Sequence, residues 1–142
     1  MRWLWVPLLG GTLYLVIDTV AEDRVWVAAG YAVVGLALTW WLSPWQGGVR
    51  RIRHEEVMSR PPAERPVVVY WRPGCAYCAR LRGRLGRAGQ RAVWVNIWRD
   101  KNAAAYVQSV NHGDETVPTG VLDGRPLTNP DPALVRDRLT GR

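Results

Sequence analysis

At 142 residues with a net charge of +7, the chain has the length of one ordinary domain, but its apolar residues are too unevenly spread for a single soluble core. The first 49 positions hold two bases and three acids, so the positive surplus belongs entirely to residues 50–142. That surplus comes without a helix-turn-helix, zinc-finger or RNA-recognition signature, which argues against nucleic acid as a partner.

Residues 3–20 form the first apolar run, which as a helix would reach ~27 Å, about the thickness of a hydrocarbon core. Pro7, Gly10 and Gly11 would weaken a soluble helix but are tolerated in lipid, and Asp18 lies where its carboxylate can reach the interface. Residues 25–49 carry no charge at all and read as a second transmembrane span. Glu22-Asp23-Arg24 between them leaves room only for a tight turn, so residues 1–49 are expected to form a transmembrane helical hairpin. Trp3, Trp5, Trp26, Trp40, Trp41 and Trp45 fall near the ends of the spans, where indoles settle among lipid headgroups. Arg2 before the first span and Arg50, Arg51 and Arg53 after the second place both termini in the cytoplasm. Were the first run a cleaved signal sequence, the second span would still deliver the downstream domain to the inside.

Residues 50–66 read as a juxtamembrane linker, basic at first and then held extended by Pro61, Pro62 and Pro66. Arg50, Arg51, Arg53 and Arg60 could meet anionic membrane lipid, with Glu55 and Glu56 opposing them.

From residue 67 the pattern becomes that of a soluble α/β domain. Val67-Val68-Val69-Tyr70-Trp71 is a buried strand that runs into the turn Arg72-Pro73-Gly74. A helix comes next, with Cys78, Leu81, Leu85 and Ala88 forming its apolar stripe and Arg80, Arg82, Arg84 and Arg87 on its other faces. Residues 92–97 supply a second strand, 101–110 a helix, and 120–127 a hairpin turning at Asp123-Gly124. A last helix starts near Asn129-Pro130-Asp131-Pro132, capped by Asn129 or Asp131, and runs to Leu139. The order β-α-β-α-β-β-α with a four-stranded mixed sheet is that of the thioredoxin fold. The only two cysteines stand three apart, which excludes a disulfide-stapled scaffold and leaves a redox pair or half a metal site. His54 and His112 match no usual zinc spacing, so no metal is expected, and His112 reads as a surface loop residue.

Trp71-Arg72-Pro73-Gly74-Cys75-Ala76-Tyr77-Cys78, then Thr116-Val117-Pro118-Thr119, then Leu127-Thr128-Asn129-Pro130 resemble the glutaredoxin family, and within it the actinobacterial mycoredoxin branch. The likeness spans about residues 67–140 and omits the membrane hairpin. Two departures stand out: Ala76 where the family usually has Pro or Gly, and Trp71-Arg72 where it has smaller residues. The resemblance implies a thiol-disulfide oxidoreductase with no resident cofactor, using mycothiol or glutathione as co-substrate and oxidised or S-thiolated proteins as partners. It also implies a cis peptide at Val117-Pro118 opposite the cysteines, and contacts from Tyr77, Thr128 and Asn129 to the small thiol.

A free thiol has a pKa of about 8.5 and must be activated to attack at neutral pH. At a helix N-terminus Cys75 would gain unpaired backbone N–H groups, the positive end of the helix dipole and the nearby charge of Arg72. Cys78, one turn on, is placed to resolve a mixed disulfide at Cys75. Two rivals remain at this level: an oxidoreductase facing the cell exterior, which the arginines after the second span oppose, and a non-catalytic thioredoxin-fold membrane adaptor.

Overall fold

The computed structural model describes residues 3–43, 52–61 and 65–141, and the chain divides into two compact units, Met1–Gln46 and Gly47–Arg142.

The first unit is a pair of helices, α1 (Trp5–Ala21) and α2 (Val25–Leu42), joined by the turn at Glu22-Asp23-Arg24, where Asp23 takes a φ of +59°. Small residues form their seam: Thr19, Ala28, Gly35 and Thr39 are buried, and a Cβ at Gly35 would run into the Thr12 side chain. The Thr12 and Thr19 hydroxyls donate to the carbonyls of Leu8 and Leu15 on their own helix, so neither brings an unsatisfied polar group to the seam. Large apolar residues such as Leu13, Ile17, Val33, Val34 and Leu36 point outward. By length and composition α2 can cross a membrane, while α1, at 17 residues, is a shorter apolar helix. Arg2, Trp45, Arg50, Arg51 and Pro62 lie outside the described residues.

In the second unit the chain runs α3 (His54–Met58), β1 (Val68–Trp71), α4 (Ala76–Leu85), a 3-10 turn (Gly86–Arg91), β2 (Val93–Asn96), α5 (Lys101–Val110), β3 (Thr119–Leu122), β4 (Arg125–Thr128) and α6 (Pro132–Thr140). The sheet order is β2-β1-β3-β4, with β1 parallel to β2 and antiparallel to β3, and β3 antiparallel to β4. This is the four-stranded mixed sheet of the thioredoxin fold. The β3–β4 turn has positive φ at both Asp123 and Gly124, the geometry that matches the twist of a two-residue hairpin. All four residues of β1 are buried. Alternation along the strand sends Val68 and Tyr70 into one core with Val57, Val95, Ala103, Val107 and Val121. Val67 and Val69 enter the other with Leu81, Leu85, Leu122 and Val135.

Residues 52–61 depart from the extended spacer that the prolines suggest. Residues 54–58 are helical, and Val57, only 2% exposed, is part of the core on the α5 side of the sheet. Asp100 explains the docking. Its carboxylate caps α5 by accepting from the backbone N–H of Asn102 and Ala103, and it also accepts from the backbone N–H of His54 at 2.7 Å. One carboxylate thus serves the first turns of two helices. His54 Nδ1 lies 2.7 Å from the Tyr70 hydroxyl, and the His54, Tyr70 and Tyr106 rings pack together with centroids 4.9–5.7 Å apart. Burial holds the His54 pKa below the ordinary histidine value, against the opposing pull of Asp100 and Glu55, and pushes that of Tyr70 up. Arg65 closes the far end of α3 by donating to the carbonyls of Met58 and Arg60.

Deleting the two buried methyls of Val57 removes their transfer free energy and leaves a cavity, so Val57→Ala should cost the domain about 2 kcal/mol. The neighbouring exposed change Glu56→Ala should stay within about 0.5 kcal/mol. Hydrogen exchange of the β1 amides in the full-length chain measures both; equal exchange in the two variants would show that α3 is not docked in solution.

Candidate functional site

The carboxyl end of β1 sets the site. After Trp71 the chain passes Arg72, the fully buried Pro73 and Gly74, whose φ of +72° favours glycine, and so reverses into α4. Cys75 is left as the N-cap of α4 in an extended conformation, and its Sγ accepts a hydrogen bond from the backbone N–H of Cys78 at 3.1 Å. Cys75 and Cys78 are joined as a disulfide with Cα atoms 5.3 Å apart. Their surroundings differ: Cys78 is 3% exposed within the core, whereas Cys75 is half-buried at its edge.

The loop before β3 comes up against this pair. The Val117–Pro118 peptide is cis, as the resemblance implies, and the Val117 carbonyl oxygen lies 3.5 Å from Cys75 Sγ. Asn129 approaches from the other side, its backbone N–H donating to the Pro118 carbonyl at 2.8 Å. With a φ of +48°, Asn129 does not cap α6; Asp131 does, accepting from Ala133 N–H at 2.8 Å. The structure therefore brings Cys75, Cys78, Val117, Pro118 and Asn129 together. Tyr77, 66% exposed, joins Pro118 and Asn129 in lining an open cleft of about 250 Å³. Thr128 is turned to a different task, since its hydroxyl donates to Asn111 Oδ1. Arg72 is half-buried and does not line the cleft.

Three features gain a role only in the folded domain. Asn111, which looks like an ordinary residue at the end of α5, is buried and donates through Nδ2 to the Val107 carbonyl at 2.8 Å and the Thr119 hydroxyl at 3.1 Å. Thr119 donates in turn to the Thr116 carbonyl at 2.7 Å, so α5, the loop before β3 and the end of β4 are tied through one amide. Arg82 lies over both Trp71 and Trp94, at 4.9 and 4.3 Å from the ring centroids, and desolvation there lowers its pKa. Arg80 and Arg84 line the cleft with Tyr77; their i, i+3, i+7 spacing on one helix face was the available signal.

A four-stranded thioredoxin-type sheet with a cysteine pair at the first turn of the helix after β1, facing a cis-proline loop, defines the class of thiol-disulfide oxidoreductases. The family model described as glutaredoxin matches residues 67–127. A Mycobacterium tuberculosis protein named as a glutaredoxin is 38% identical over 74 residues, 51% of this chain and 88% of its own length. Mycoredoxin 1 of Corynebacterium glutamicum is 37% identical over 65 residues, 45% of this chain and 80% of its own length. The chain belongs to the glutaredoxin family and is mycoredoxin-like within it. Members act on protein disulfides with low-molecular-weight thiols and hold no permanent cofactor.

Removing the amide of Asn111 leaves buried partners unsatisfied, so Asn111→Ala should cost about 2 kcal/mol of domain stability and loosen residues 116–118. Denaturant unfolding and exchange protection of the Val117 and Thr119 amides check this; unchanged protection would show that the loop is held without the network.

Proposed function

We propose that the chain is a membrane-anchored glutaredoxin that reduces mixed disulfides between proteins and a low-molecular-weight thiol, mycothiol or glutathione, at the cytoplasmic face. Residues 1–49 supply location and the domain beyond them supplies chemistry. The observation that carries the chemical reading is the inequality of the two sulfurs: Cys75 at the helix N-cap and half-buried, Cys78 one turn further and fully buried.

In the reduced enzyme the Cys78 N–H and the positive end of α4 would favour a thiolate at Cys75, and Arg72 three residues earlier adds positive charge. That thiolate attacks the small-thiol sulfur of a mixed disulfide. The protein leaves as a thiolate, the small thiol is carried on Cys75, and a second small thiol displaces Cys75 as the small-molecule disulfide forms. For a disulfide between two protein cysteines, attack leaves one of them bonded to Cys75. Cys78 then displaces it, taking the pair to the Cys75–Cys78 disulfide as two electrons pass to the substrate. Val117 and Pro118 present the loop against which the substrate lies, and Tyr77 and Asn129 flank the small thiol. Thr128 acts in this reading by holding Asn111, which fits its hydrogen bond better than direct contact does.

Anchoring rests on the apolar character of α2 and the outward-facing apolar residues of the pair. Cytoplasmic orientation rests on the sequence: an acidic turn between the helices, and basic residues before the first and after the second. An impermeant thiol reagent applied to intact cells under reducing conditions should leave Cys75 unlabelled and react with it after lysis. Labelling of intact cells would place the domain outside and turn the chemistry toward disulfide formation.

The cysteines separate the two routes. Cys75→Ser should abolish reduction of both small-thiol mixed disulfides and protein–protein disulfides, because both begin with the same nucleophile. Cys78→Ser should retain the first and lose most of the second, since only the second needs a resolving thiol at high effective concentration. A coupled assay on both variants and the parent reads this, and activity surviving in Cys75→Ser would overturn the assignment of the nucleophile.

A further inference from the structure

The cleft beside the cysteines has a charged wall for which the chemistry above has no use. Its lining takes Tyr77, Arg80 and Arg84 from α4 and faces them with Pro118, Pro130 and Pro132. The lining contains no acidic side chain. Among the described residues, the salt bridges join Arg24 to Glu22 and Arg138 to Asp123, so Arg80 and Arg84 are uncompensated. Arg136 on α6 adds a third cation behind them, its guanidinium donating to the Arg84 carbonyl. Asp131, between the two prolines in sequence, is committed to the cap of α6. Such a stretch of unpaired positive charge beside rigid prolines is suited to an anion that arrives with the substrate.

Its length says which part of the substrate. From Tyr77 to Arg84 is seven residues of helix, ~10 Å. An extended polypeptide covers ~10 Å in three residues. A peptide whose cysteine sits at the disulfide would therefore carry its next three residues past the arginines, with alternate side chains facing them.

We propose that this arginine-walled cleft selects protein substrates carrying a carboxylate-rich stretch within about three residues of the cysteine to be reduced. The inference rests on the chemistry proposed for Cys75 and Cys78, and it specifies which polypeptides that chemistry meets.

The test uses the full-length chain in detergent micelles and three matched peptides. Each bears one cysteine as a mixed disulfide with 2-mercaptoethanol, which is uncharged, next to three Glu, three Gln or three Lys. Two exposed guanidinium–carboxylate contacts should raise kcat/KM for the Glu peptide over the Gln peptide about three- to tenfold at low salt, with the Lys peptide slowest. Raising salt to about 0.5 M should shrink the ratio. Arg80→Gln with Arg84→Gln should bring it close to one, whereas Arg87→Gln with Arg125→Gln, which removes equal charge outside the cleft lining, should leave it high. Equal rates for Glu and Gln peptides in the parent, or an equal fall in both variant pairs, would overturn the proposal. So would variants of Arg80 and Arg84 that slow only a glutathione mixed disulfide, since the arginines would then serve the small thiol. No turnover of any peptide would instead overturn the thiol chemistry on which the inference depends.

Discussion

Everything in the catalytic half hangs on β1 being buried on both faces. Four consecutive residues without a water-facing side chain can exist only where the sheet continues on each side and helices cover both surfaces. β2 and β3 supply the neighbours, α3 and α5 cover the face that Val68 and Tyr70 enter, and α4 covers the face that Val69 enters. A strand so fixed has a fixed end. The chain must leave it through Pro73 and Gly74, and the first residue able to start the next helix is Cys75. The position of the reactive sulfur is thus a consequence of core packing.

The opposing side of the site is held by polar chemistry. Asn111, Thr119 and Thr128 link α5, β3 and β4 through hydrogen bonds in which the amide of Asn111 acts as donor and acceptor at once. Buried polar groups are costly unless fully paired, and this pairing ties the loop before β3 to α5 through the Thr119 bond to the Thr116 carbonyl. That arrangement sets the Val117 carbonyl beside Cys75 Sγ. The apolar strand and the polar network therefore fix the two halves of the site independently, and the cleft lies where they meet.

The residues around this scaffold are where charge is placed. Trp71, just before the motif, is covered by Arg82, which also covers Trp94, so a cation stacks on two indoles. Arg80 and Arg84 stand on the same helix, and among the described residues no acid forms a salt bridge with either. In the proposed reading, the membrane pair limits where the enzyme works and the arginines limit what it accepts, while the sulfur chemistry itself is common to the family.

Contiguous residues were enough to specify the cysteine pair, the order of elements from residue 67 onward and the split between an apolar pair of helices and an α/β domain, while the cis peptide at Val117–Pro118 was implied by the family resemblance. A β-prone run before Pro73-Gly74, an apolar stripe on a helix and an Asp-Gly turn are each local signals. Contacts between residues far apart in the chain settled the remainder. Pro61, Pro62 and Pro66 announce an extended spacer, but the tie between His54 and Asp100 spans 46 positions and turns part of it into a core helix. Thr128 lies beside the cleft in sequence, yet a hydrogen bond to Asn111, 17 residues away, takes its hydroxyl out of it. The choice of Asp131 over Asn129 as cap follows from the bond between Asn129 and Pro118, again a contact across the fold. Periodicity records which face of an element is apolar; it holds no record of which distant carboxylate or amide will complete a hydrogen bond, because that partner is chosen by the packing of the whole domain.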